Sequence, residues 1–155
     1  MISFKSITMK KNPFFLCIFS YLLIGISFSY AQWQQSSSFT SNVWAMAVNG
    51  NNIFAGTFGG VYRSSDNGGS WALYNNGFTD GQAFSLLING NNIFAGGSND
   101  VFLSKNNGVS WIAVSNGLNT GSVSSLAISG NNIFAGDAFG GGVFLSTDTG
   151  TNWTA

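Results

Sequence analysis

Histidine and glutamate are absent from this chain, and cysteine and proline occur once each, as Cys17 and Pro13. Each absence closes a route. Without histidine the chain lacks the commonest zinc ligand and the usual general base. Beyond residue 31 there is no cysteine, so that part has no disulfide, no thiol nucleophile and no thiolate metal site. No metal site and no cofactor are expected. Charge is scarce as well: after residue 31, Arg63 and Lys105 stand against Asp66, Asp80, Asp100, Asp137 and Asp148, so +2 − 5 = −3. A surface without a basic patch cannot neutralise phosphates, which argues against nucleic acid or an anionic membrane as partner.

What is present begins with a leader. Lys5, Lys10 and Lys11 precede an apolar run from Phe14 to Phe28, and Ser29-Tyr30-Ala31 offers small residues where a signal peptidase reads. The order is that of a secretory signal peptide, residues 1–31, cut before Gln32. An uncleaved membrane anchor is the alternative, but the run is short for the ~20 apolar residues of a span. The expected destination is secreted or extracellular, with periplasm or cell surface also open, and no stable membrane insertion after cleavage.

Glycine and asparagine then mark a repeat. Gly50-Asn51-Asn52-Ile53-Phe54-Ala55-Gly56 returns from Gly90 and again from Gly130, a spacing of 90 − 50 = 40 and 130 − 90 = 40. Three units follow, at about 43–82, 83–122 and 123–155. A period near forty with several short β segments per unit points to propeller blades or a β-solenoid. Each unit reads as four strands, A to D. Strand A spans Val43 to Val48 in the first unit, with Trp44, Met46 and Val48 on one face. Asn49-Gly50 should then turn a tight hairpin with positive φ at both central residues. Strand B is Asn52 to Gly56, strand C is Val61 to Arg63, and strand D opens at Trp71. Nothing in the pattern is helical, so the class is all-β.

A second motif joins strands C and D. Ser64-Ser65-Asp66-Asn67-Gly68-Gly69-Ser70-Trp71 recurs from Ser104 to Trp111 and from Ser146 to Trp153. Asp66, Asn106 and Asp148 can accept hydrogen bonds from backbone N–H groups just after them. Gly68, Gly108 and Gly150 sit where a positive φ would close the turn. Ser64, Ser104 and Ser146 can brace it. Trp71, Trp111 and Trp153 should bury their rings between neighbouring sheets, worth several kcal/mol each on the ~25 cal/mol/Å² scale. A carboxylate here could instead be a metal ligand or catalytic acid, but Asn106 speaks for structure, since an amide serves a turn and is a poor acid.

The pattern Ser-x-Asp/Asn-x-Gly-x-Ser/Asn-Trp resembles the Asp-box, or bacterial neuraminidase repeat, of sialidase, sortilin-type and photosystem II assembly-factor propellers. The resemblance covers Val43 to the C-terminus and implies an all-β propeller with the box between the third and fourth strands of each blade. Asn106 and Asn152 are mild departures. Sialidases are similar to one another in three substrate-clamping arginines, a Tyr–Glu nucleophile pair and an Asp acid/base. One arginine and no glutamate cannot supply that set, so no catalytic residue is assigned.

In such blades the A–B and C–D turns share one face of the disc, and the B–C and D–A loops share the other. The first set is nearly invariant among the units, whereas the second varies, which is how a binding surface is usually built. A ligand is therefore expected on the face holding Phe58, Asp80, Asp100, Asp137 and Phe139. The functional expectation is a non-catalytic binding or scaffold protein for an unknown protein or glycan. The alternative is a fragment of a glycoside hydrolase whose catalytic residues lie outside this chain. Three units do not close a propeller of ~4–8 blades, and the last unit stops within strand D. Further blades or self-association are expected to complete the ring.

Overall fold

The computed structural model describes residues 39–155. The leader and its expected cleavage after Ala31 lie outside the described residues. Eleven strands form three antiparallel sheets, one per repeat. The first is β1 (Val43–Asn49), β2 (Asn52–Thr57), β3 (Gly60–Ser64) and β4 (Ala72–Leu73), hydrogen-bonded in that order. The second repeats it with β5 (Ser85–Asn89), β6 (Asn92–Gly96), β7 (Val101–Ser104) and β8 (Ile112–Ala113). The third holds β9 (Val123–Ser129), β10 (Asn132–Asp137) and β11 (Val143–Ser146), with Thr154 bridging Leu145 where a fourth strand would lie. Every pairing of named strands stays inside its own repeat. That is the up-and-down order of a blade and not the stacking of a solenoid. No helix among the described residues is long and apolar enough to cross a membrane.

The A–B hairpin differs from expectation by one residue. Asn49 pairs with Asn52, so the two-residue loop is Gly50-Asn51 rather than Asn49-Gly50. Gly50, Gly90 and Gly130 take φ of 58°, 59° and 60°, and the asparagines beside them do not. Positive φ at the first central residue alone is the demand of a type II′ turn, which also matches strand twist.

Register decides which side chains meet the neighbouring sheet. Residues opposite one another in an antiparallel pair share a face, so Phe54 goes with Arg63, and Gly56 with Val61. On the other face Ala55 goes with Tyr62. Phe54 and Val61 of the first sheet pack against Ile93, Ala95, Phe102 and Trp111 of the second, with Leu86 and Ile88 at the margin. One repeat on, Phe94, Val101 and Leu103 meet Ile133, Ala135, Phe144 and Trp153 of the third. The core is thus two junctions between sheets. Gly56 is required by the first, since a Cβ there would stand 2.7 Å from the Ala83 carbonyl oxygen.

The tryptophans differ in their fate. Trp111 and Trp153 are buried, and their indole N–H groups donate to the carbonyls of Tyr74 (2.8 Å) and Val114 (2.7 Å) in the preceding unit. Their backbone N–H groups donate to Asn76 and Asn116. Trp71 is half-buried and stacks at 5.1 Å on Phe39, which also meets Tyr62 edge-on at 4.9 Å.

Candidate functional site

The repeated turn is a closed hydrogen-bond unit. The Ser64 hydroxyl donates to Asp66 Oδ1 (2.7 Å) and accepts the backbone N–H of Gly68 (2.9 Å). Asp66 accepts the backbone N–H of Ser70 at 2.8 Å and the Ser70 hydroxyl at 2.6 Å. Gly68, Gly108 and Gly150 take φ of 87°, 80° and 83°, as expected. The preceding Asn67, Asn107 and Thr149 also lie in the left-handed region, at 56°, 55° and 62°. Asparagine tolerates this well, whereas threonine there must be imposed by its surroundings. Asn106 reproduces the Asp66 pattern with its amide, accepting Ser110 N–H (2.9 Å) and donating to the Ser110 hydroxyl (2.8 Å).

These bonds leave a pH signature. The Ser70 hydroxyl first, then its N–H and the Ser64 hydroxyl, draw Asp66 down from 3.8 to about 2. Asp148 is lowered by the Asn152 side chain and backbone and by Ser146. A carboxylate with a depressed folded-state pKa contributes its full stability above the unfolded value and loses it as pH falls toward the folded one. Thermal stability should therefore hold from pH 7 to about 5 and decline between about 4 and 2. Asp66→Asn should keep the turn, as Asn106 does, and lessen that decline; a melting series over pH reads both.

Two other aspartates tie the variable loops. Asp80, in the linker after β4, accepts backbone N–H groups of Asn99 (3.1 Å) and Asp100 (3.4 Å) in the β6–β7 loop. In the next unit the carboxylate has changed sides. Asp137, at the end of β10, accepts the Thr120 hydroxyl and the N–H groups of Gly121 and Ser122 from the linker. It also takes N–H groups of Phe139 (3.0 Å) and Gly141 (2.7 Å) in its own loop. Thr120, then Gly141, hold Asp137 well below the usual carboxylate range. The position of Asp80 is Thr120 one repeat later, and that of Asp137 is Gly97 one repeat earlier. A side chain at Gly97 would collide with Asp80, so one carboxylate serves each junction from either side.

The two faces predicted from topology are both present. The amide of Asn49 donates to Asn107 Oδ1 at 3.2 Å, which puts the A–B and C–D turns side by side. The linker-to-loop bonds of Asp80 and Asp137 put the B–C and D–A loops together at the other end of the strands. Phe58 and Phe139 are exposed there, by 55% and 80%. Asp100 joins the same loop through its backbone, and Asp80 and Asp137 spend their carboxylates holding loop backbone. Sequence reasoning placed Trp44 on one face of its strand with Met46 and Val48 and did not single it out as a site residue. Its exposed ring lies 5.9 Å from Phe58 and 5.9 Å from Phe84, making an aromatic patch at the loop end of β1. The clue was Phe84, an aromatic one repeat after Trp44.

Arg63 is engaged elsewhere. It lies 4.5 Å above the Tyr74 ring and donates to the Asn107 carbonyl at 3.0 Å, on the turn side. Among the described residues no group of three His, Cys, Asp or Glu could hold a metal ion.

No protein-family model and no curated protein matches the chain. Solved structures do. The chain is similar to an ancestral GH74 enzyme at 24% identity and TM-score 0.64, covering 81% of this chain and 19% of that one. It is similar to the computationally designed Ika4 protein at 15% identity and TM-score 0.61, over 80% of this chain and 79% of that one. A third likeness is to YCF48 bound to D1 peptide, at 15% identity and TM-score 0.58, over 79% and 41%. The chain spans about a fifth of the GH74 enzyme it resembles. At these identities the likeness speaks for fold, and it agrees with the strand order: the chain is an all-β array of three blades, part of a β-propeller.

Proposed function

We propose that the chain is a secreted Asp-box propeller protein that binds a protein or glycan through its B–C and D–A loops and does no chemistry itself. One observation carries the reading. Asp80 and Asp137 tie the β6–β7 and β10–β11 loops to their linkers, and Thr57 and Asn75 brace the β2–β3 loop. This end presents Phe58 and Phe139 from loops and Trp44 from the start of β1, away from the repeated turn. Exposed aromatic rings held on rigid loops are the usual anchors of a binding surface.

Three of the carboxylates favour a structural role over catalysis. Asp66, Asp137 and Asp148 are all held below their ordinary pKa by donors. A glycosidase acid needs the opposite, a carboxyl raised toward neutrality by an apolar site. The likeness to GH74 enzymes supports a second reading, a fragment of a glycoside hydrolase whose acid and base lie in other blades.

A glycan array probed with the purified chain, followed by the Phe58→Ala/Phe139→Ala double variant, tests the first reading. Both rings are exposed, so stability should change by less than about 0.5 kcal/mol each while array signal falls at least tenfold. Retained signal in the double variant would reject the loop face as the site. Hydrolysis of an array glycan by the chain would reject the non-catalytic reading.

A further inference from the structure

The first strand of each sheet carries a residue out of register at its loop end. In β1, Val43 pairs with Thr57 and Ala45 with Gly56, so Trp44 is a bulge residue with no partner of its own. In β9, Val123 pairs with Asp137 and Ser125 with Gly136, which leaves Ser124 in the same place. Phe84 occupies it just before β5, its N–H on the Gly96 carbonyl at 2.8 Å. A bulge takes a side chain out of the strand's alternation and is a recurrent way to aim one at a site. At the first junction the result is aromatic: Trp44 meets Phe84 of the second repeat, and Phe58 joins them from the β2–β3 loop. Ala83 donates its N–H to the Thr57 carbonyl at 2.9 Å, which holds the approach to β5 against that loop.

Trp44 differs from the buried tryptophans. Trp111 and Trp153 donate their indole N–H groups to carbonyls. The indole N–H of Trp44 meets no acceptor among the described residues, and the residue is 53% exposed. Phe58 and Phe84 are inclined to its ring by 50° and 77°, so they flank the indole and neither lies flat upon it. This is an open platform. A cage for an organic cation would enclose its ligand with sheltered ring faces, whereas Trp44 and Phe58 are each more than half exposed. The surrounding end also has no cation among the described residues: Arg63 reaches Asn107 in the repeated turn, and Lys105 belongs to that turn. On the linker that ends at Phe84, Asp80 holds loop backbone through Oδ2 and keeps Oδ1 as an open acceptor. Gln82 on the same linker accepts the Ser98 hydroxyl at 3.4 Å and retains its amide donors.

We infer that this platform is a sugar subsite, taking one neutral pyranose residue of a glycan with its C–H face on the Trp44 indole. The subsite rests on the loop-face reading above and narrows it to the junction of the first two blades. A pyranose presents an apolar face of C–H groups and a rim of hydroxyls, which matches an aromatic ring bordered by a few polar groups. Acidic sugars and acidic peptides find no opposite charge at this end. A proline-rich segment also docks on aromatic grooves, but proline has no N–H to give, and a carboxylate such as Asp80 only accepts. Hydroxyls supply the donors that it needs.

Indole N–H resonances of the isotope-labelled chain test it. The probes are three neutral tetrasaccharides (cellotetraose, maltotetraose and N-acetylated chitotetraose), with tetragalacturonate, choline and a proline-rich peptide as rivals. At least one neutral tetrasaccharide should move the Trp44 resonance, which is assigned by its loss in Trp44→Phe, and leave those of Trp111 and Trp153 in place. Trp44→Ala should weaken that binding at least about tenfold and Trp44→Phe less, since a smaller ring still offers a face. Both variants should keep the β circular-dichroism spectrum, because the side chain is exposed, and Phe139→Ala should bind as wild type does. No response to any neutral tetrasaccharide, an equal response to tetragalacturonate, or a Trp44 shift with choline or the peptide alone would overturn the sugar subsite. Binding that survives Trp44→Ala and disappears in Phe139→Ala would overturn it as well, while leaving the loop face in place. Shifts confined to the repeated turns would overturn both.

Discussion

Trp111→Ala is expected to lower the unfolding free energy by about 3–5 kcal/mol, the range for truncating a buried aromatic. The ring lies in the first junction among Phe54, Val61 and Phe78 from one repeat and Ile93, Ala95 and Phe102 from the other. It meets Phe78 edge-on at 5.8 Å, a geometry that adds to area burial. Its indole N–H also satisfies the Tyr74 carbonyl. Truncation therefore opens a cavity and removes a donor between two sheets that no named strand joins. A domain of ordinary stability holds about 5–15 kcal/mol in all, so much of the protein should be unfolded at moderate denaturant. Trp111→Phe keeps most of the volume and loses the N–H, so it should cost less, about 1–3 kcal/mol. Denaturant midpoints at unchanged slope separate the two. Equal losses would mean that the ring's volume contributes little to the junction.

The second large effect is at Gly77, where two demands coincide. Its φ is +80°, and a Cβ would come closer than 3.0 Å to the Trp111 carbonyl oxygen. Backbone cannot rotate away as a flexible side chain can, so the blades must separate slightly. Gly90 isolates the first demand: its φ is +59°, and nothing lies within 4 Å of a Cβ there. Gly90→Ala should cost about 1–2 kcal/mol from the left-handed conformation alone. Gly77→Ala should add about 1–3 kcal/mol of overpacking to that figure. Similar values at the two sites would show that the linker does not crowd the Trp111 backbone. Gly117, which meets Trp153 in the same way, should follow Gly77.

Most of the fold was legible because the chain states it three times. The forty-residue spacing placed the strands, and the Ser-x-Asp/Asn-x-Gly turn located the step from strand C to strand D. The A–B hairpin was misplaced by one residue because asparagines flank Gly50 on both sides, and either dipeptide satisfies a turn by composition. The left-handed Thr149 carries no local signal, since a β-branched residue adopts that conformation only when Ser146 and Asp148 close the turn around it.

The candidate site was legible only in part. Phe58 and Phe139 stood out as aromatics in loops of varying sequence. The roles of Asp80 and Asp137 did not, because each acts across a blade junction and the two exchange sides between repeats. Trp44 was hidden by its own alternation with Met46 and Val48, which marks it as one face of a strand and not as a site. Those residues are apolar by pattern, yet all three are more than half exposed.

The central claim is that the repeated turns hold the blades while the opposite loops meet the ligand. Amide chemical shifts of the labelled chain, recorded as a glycan from the array is added, address both halves at once. Changes should gather at Thr57–Gly60, Thr79–Gln82, Gly97–Asp100 and Asp137–Gly142, with Asp66–Ser70 and Asn106–Ser110 unmoved. Shifts concentrated at the Asp66 and Asn106 turns, with the loops silent, would contradict it.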